Sequence, residues 1–113
     1  MVVREFRVNE GCEKDFELVF APGGVWGELL QPRSEGYLGT ELHLVSLADR
    51  RYRVFDYWKS HHDFELFRGL YQQDVEQFRK WLASKDFSRQ EALLGSFYVG
   101  ESDGDEDAGL VQA

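Results

Sequence analysis

The amino-acid sequence predicts an α+β domain in the order β–α–β–β–α–β. Three observations carry this reading. Stretches of two-residue alternation, the mark of strands with unlike faces, open at Val2, Gly36, Arg51 and Leu93. Between them, apolar residues recur at intervals of three and four, as they do along one face of a helix. Finally, 113 residues suffice for one domain with its own core and are too few for two.

In Val2–Val8, Arg4, Phe6 and Val8 point one way and Val3, Glu5 and Arg7 the other. Asn9-Glu10-Gly11 is turn chemistry. Phe16, Val19 and Phe20 then mark a helix face, Pro22-Gly23-Gly24 interrupts it, and Trp26, Leu29 and Leu30 repeat the spacing before Pro32. The second strand runs from Gly36 to about Ser46, with Leu38, Thr40, Leu42 and Leu44 on one face and Tyr37, Gly39, Glu41, His43 and Val45 on the other. A turn at Ala48-Asp49-Arg50 joins it to a third strand, Arg51–Trp58, making a hairpin. Here Tyr52, Val54, Asp56 and Trp58 share a face.

Ser60 begins the next helix, with Asp63 three residues on as a capping partner and Phe64 and Phe67 on its buried side. Gly69 permits a break. The stripe Tyr71, Val75, Phe78 and Leu82 predicts a longer helix from about Leu70 to Ser84, and Leu93 to Val99 is the last strand. The order is that of the ferredoxin-like, split-βαβ arrangement: a four-stranded antiparallel sheet with helices on one face. The other face, with Tyr, Phe, Val and His alternating on it, then needs a cover, and a second sheet supplies one.

Composition narrows the partners. Thirteen Lys and Arg stand against 21 Asp and Glu, a net charge of −8, and the densest basic run is the short Arg50-Arg51-Tyr52-Arg53. Phosphate binding needs concentrated positive charge, so nucleic acid and anionic membrane are excluded as expectations. No apolar run approaches the roughly 18 residues of a membrane span, and no signal-peptide stretch opens the chain. A single cysteine, Cys12, fits a cytoplasmic protein. Five acids crowd residues 101–107, so much of the net charge belongs to an expected disordered tail, 101–113, behind a domain of residues 1–100. Nine Phe, five Tyr and three Trp exceed what one small core needs, which points to a ligand pocket or a subunit interface.

Chemistry-bearing motifs are few. Gly23-Gly24-Val25-Trp26-Gly27 follows a helix rather than a strand and lacks the Lys and Ser/Thr of a phosphate loop. Cys12 has no His near it in sequence. His61 and Glu65 lie one helical turn apart, but two ligands are not a metal site, and none is expected. The sharper constellation is Asp56 among aromatics. Desolvation disfavours a lone buried carboxylate ion, which makes Asp56 a candidate general base. Neighbouring first and third strands bring Arg4 beside it, as a structural ion pair or as a functional one.

Gly36-Tyr37-Leu38-Gly39-Thr40-Glu41-Leu42, followed by Tyr52 through Trp58-Lys59-Ser60, resembles the antibiotic biosynthesis monooxygenase family. So do Phe6-Arg7-Val8 with the Gly11 turn, and Gly95-Ser96-Phe97. The resemblance covers about residues 2–99 and implies a dimeric α+β barrel, two subunits packed sheet to sheet, with a pocket between helices and sheet in each. It implies a monooxygenase that oxidises a small phenol or quinol without a cofactor. Asp56 would be the proton acceptor, Arg4 would steady the phenolate, and Trp58, Phe64, Phe67, Tyr71 and Arg79 would bind the substrate. The chain departs from the quinone-forming members where they carry Asn and Tyr and it has Val54 and Phe64, and their helix Arg falls near Phe78, one step from Arg79. It departs from the heme-degrading branch at Arg4, Phe67 and Gln77. The alternative is a non-catalytic module of the same fold that binds a small ligand or a partner protein; a weaker one is heme binding.

Overall fold

A computed structural model describes residues 1–98 of the chain. Its elements are β1 (Val2–Val8), α1 (Glu13–Phe20), α2 (Val25–Leu30), β2 (Tyr37–Ser46), β3 (Arg51–Trp58), α3 (His61–Leu70), α4 (Gln72–Lys85) and β4 (Ser88–Ser96). The strands form one antiparallel sheet in the order β2-β3-β1-β4. β1, α1, α2 and β3 read as the alternation and spacing require. The expected tail and the expected strand end at Val99 lie outside the described residues.

One face of the sheet carries the core. Phe6 of β1 and Tyr52 of β3 are directly paired, and Phe16 and Phe20 of α1 pack on them with ring centroids 5.1–5.2 Å apart. Aromatic pairs at this separation gain about 0.5–1.5 kcal/mol beyond the area they bury. Trp26 and Leu30 of α2, Trp58 of β3, Phe67 of α3 and Phe78 of α4 continue the same buried layer. Ser60 caps α3 as its spacing predicts: its hydroxyl accepts the Asp63 backbone N–H at 3.1 Å. Tyr71 breaks the helical run with φ −118° and ψ 32°, and α4 starts at the following residue.

Two expectations are corrected. β4 begins at Ser88 rather than Leu93, because the left-handed Asp86 (φ 57°) ends α4 and returns the chain at once to the edge of β1, where Val8 pairs with Ser88. Ser88-Arg89-Gln90-Glu91 offers little apolar alternation, as suits part of an edge strand with polar company. In β2, Tyr37 and Leu38 exchange faces. Tyr37, expected on the outer face, is buried at 6% exposure, and Leu38, expected in the core, is 60% exposed. The cause is a bulge: Tyr37 pairs with Trp58 and Gly39 with the adjacent Tyr57, so Leu38 is the extra residue. Gly39 takes φ +147°, which an L side chain rarely adopts.

The opposite face of the sheet is less apolar than the alternation implies. Arg53 Nε meets Glu5 Oε1 at 3.0 Å, and Arg51 and Arg7 both reach Asp49 at 2.8 and 3.3 Å. The Arg51 bond holds the Asp49 carboxyl below its ordinary range. Phe55 stands half-buried beside His43, ring centroids 4.6 Å apart.

Candidate functional site

Asp56 sits in β3 on the helix-facing side, 3% exposed. A buried carboxylate must be paired and hydrogen-bonded, and three elements supply the donors. Arg4 from β1 donates to Oδ2 at 3.0 Å. The Trp26 indole from α2 donates to Oδ1 at 3.0 Å, and the Thr40 hydroxyl from β2 donates to the same oxygen at 2.7 Å. Thr40 has spent its one proton there, so the Tyr37 hydroxyl, 2.5 Å from Thr40 Oγ1, must be the donor in that contact. Burial pushes the Tyr37 phenol above its ordinary range, which keeps it a donor. The bulge at Leu38 is what turns Tyr37 inward to complete this relay. Gly27 of α2 leaves it room, since a Cβ there would lie 3.3 Å from the Tyr37 hydroxyl.

Arg4 is also stacked. Its guanidinium carbon lies 4.8 Å from the Trp26 ring centroid and 5.4 Å from that of Phe20. Charge, planarity and apolar stem are thus all matched, as Arg allows and Lys would not.

Beside the pair opens a cavity of about 280 Å3 between sheet and helices. Val2, Arg4, Asp56, Trp58 and Leu93 form its sheet wall. Trp26 of α2, Phe64, Phe67 and Arg68 of α3, and Val75, Phe78, Arg79 and Leu82 of α4 form the other. Small-ligand sites have this character, apolar walls with a few convergent polar groups, at roughly 300–1,000 Å3. A larger concavity of about 740 Å3 lies around Glu5, Arg7, Asp49, Arg51 and Arg89. Its charges are engaged with one another or with Asn9, so it offers a ligand little that is unspent.

Trp58 packs between Tyr37, Phe64 and Phe67, with centroids 5.3–5.5 Å away. Its Nε1 is buried and meets no hydrogen-bond acceptor among the described residues. An orphaned buried donor costs about 1–3 kcal/mol, so folds seldom retain one without a use for it.

Of the residues expected at the site, Asp56, Arg4, Trp58, Phe64, Phe67 and Arg79 all come to this cavity. Tyr71 does not line it; it stacks on Phe67 at 5.4 Å, under the Arg33 guanidinium at 5.9 Å, at the α3–α4 junction. Three residues of the Asp56 cluster carry no sign of it in the sequence: Trp26 stands in a helical spacing, Thr40 in a strand alternation, and Tyr37 on the opposite face of that strand. Gly39 was the signal for Tyr37, because a glycine inside a strand marks a bulge. His61 meets Glu65 at 3.4 Å, and among the described residues no group of three or more His, Cys, Asp or Glu is placed to hold a metal ion. Among them, too, no helix is long and apolar enough to cross a membrane. No family model, curated protein or solved structure matches the chain.

Proposed function

We propose that the chain binds a small aromatic molecule in the helix–sheet cavity and oxygenates it, as a homodimeric, cytoplasmic relative of the antibiotic biosynthesis monooxygenases with a ferredoxin-like subunit. The observation that carries this is the buried Arg4–Asp56 pair at the wall of an aromatic-lined space of about 280 Å3. A carboxylate has about four acceptor positions, and the three donors leave one. A phenol hydroxyl fits that position on Oδ2, with the Arg4 charge beside the oxygen as its proton leaves. The phenolate passes electrons to O2. One oxygen atom enters the ring as the quinone carbonyl, and the other leaves as water with the two hydrogens that the phenol loses. The protein supplies position and exclusion of water, and the substrate supplies the electrons.

The test is oxygen uptake and quinone absorbance with a panel of naphthols and hydroquinones in air, for wild type and Asp56→Asn. Turnover that Asp56→Asn abolishes is expected. Substrates left unchanged, with the variant behaving identically, would sink the enzymatic reading. A second reading, a binding module without turnover, draws on the same donor set: three hydrogen bonds on Asp56 also describe a carboxylate retained for structure. It expects saturable binding of the same molecules and no oxygen uptake.

A further inference from the structure

The chain carries a net charge of −8, yet the wall of its cavity holds three guanidiniums, from Arg4, Arg68 and Arg79, against the single carboxylate of Asp56. Two of the three are engaged: Arg4 with Asp56 at 3.0 Å, and Arg68 with Glu65 at 3.3 Å while lying over the Phe64 ring. Arg79 of α4 has no acid or acceptor among the described residues. Within the same wall the Trp58 indole N–H also lacks an acceptor. The cavity thus presents one unspent charged donor at its exposed helix side, and its sheet wall holds a second, neutral one that is fully buried and that a ligand reaches only when the side chains over it move aside.

We infer that the ligand is an aryl carboxylate whose carboxylate pairs with Arg79 and whose ring carries a second oxygen that accepts from Trp58 Nε1. This deepens the reading of the cavity as an aromatic site and rests on it. The rings fill the space among Trp58, Phe67 and Phe78, and one cavity of about 280 Å3 is small enough for a two-ring molecule to touch both donors. A neutral aromatic would leave both donors unanswered. A carboxylate without the second oxygen would answer only Arg79.

Three probes separate the parts: 6-hydroxy-2-naphthoate, its methyl ester, and 2-naphthoate. Calorimetric titration of the full chain is expected to show the hydroxy acid binding at least about tenfold more tightly than the ester, the factor of one interaction of about 1.4 kcal/mol. Arg79→Gln, an exposed change that spares the core, should erase that difference by weakening the acid alone. Loss of the hydroxyl should weaken binding to wild type but not to Trp58→Phe. If Trp58→Phe does not fold, the Trp58 indole N–H resonance of the wild-type chain gives the same answer, shifting on saturation with the hydroxy acid and less with 2-naphthoate. Equal affinity of acid and ester, or an Arg79→Gln loss shared by both, overturns the carboxylate while leaving the aromatic site intact. An indole resonance unmoved in the bound state overturns the second contact. Binding of none of the three overturns this inference and the aromatic site together.

Discussion

The hydroxyls of Tyr37 and Thr40 meet at 2.5 Å, although strict alternation along β2 would put these two residues on opposite faces of the sheet. They meet because Leu38 is bulged out between them, and the contact delivers a proton chain from Tyr37 through Thr40 to Asp56. The bulge therefore secures Asp56, a residue of the cavity wall, as well as shaping the strand.

Removing the bulge's conformational freedom should be felt at the site. Gly39→Ala meets no atom within 4 Å, so its cost is backbone strain at φ +147° and not collision. A destabilisation of about 1–3 kcal/mol is expected in urea unfolding. A variant as stable as wild type would show that β2 accommodates a side chain there without strain.

Asp56 answers a buried guanidinium, so its loss should cost more than its own hydrogen bonds. Asp56→Ala takes from Arg4, whose side chain is 13% exposed, the carboxylate it meets at 3.0 Å, and about 3–5 kcal/mol of stability should go with it. Thr40→Val removes one donor at nearly constant shape, and about 1–2 kcal/mol is expected. Denaturant midpoints at constant slope are the check, and a larger loss from Thr40→Val than from Asp56→Ala would contradict this account of the cluster.

Three tyrosines make the fold sensitive to alkali. Burial, with the hydrogen bond to Glu17 next, pushes the Tyr52 phenol far above its unfolded value of 10.0, and burial raises Tyr37 and Tyr57 as well. Above pH 10 the unfolded chain releases these protons before the folded one does. The folded state then binds more protons, so the stabilisation that is complete below pH 10 is lost as pH rises through the folded values. Urea midpoints should stay level to about pH 10 and then fall, and Tyr52→Phe should make the fall shallower. An unchanged slope in Tyr52→Phe would assign the effect to other groups.

The proposed sheet-to-sheet dimer has its own test. Phe55 is the half-buried ring at the middle of the outer face, flanked by His43. Phe55→Glu should convert a sedimenting dimer into a folded monomer. A wild-type chain that sediments as a monomer would remove the dimer from the proposal.

Much of this arrangement is legible from the residues alone, because it follows from periodicity. Asp56 reaches the helix side through two-residue alternation with Tyr52 and Val54, and Arg4 reaches Asp56 because β1 and β3 pair, with Val2 opposite Asp56. The Tyr37 inversion breaks that periodicity, and only Gly39 announces it. The start of β4 is hidden because Ser88 to Glu91 pair through the backbone and carry no alternating apolar face to read. The role of Trp26 was hidden for another reason: helical spacing shows that an indole is buried, not what its N–H touches. The Asp56 bond depends on how α2 lies across the sheet.

The clamp on Asp56 draws on β1, α2 and β2 at once, so none of its donors can leave without separating elements of the core. The Trp26 indole proton should accordingly exchange with solvent only through global unfolding, among the slowest in the chain. Ligand entry must then be accommodated from α3 and α4, whose shared junction at Tyr71 departs from helical geometry. The sheet side acts as a fixed template, and selectivity there is a matter of fit rather than adaptation.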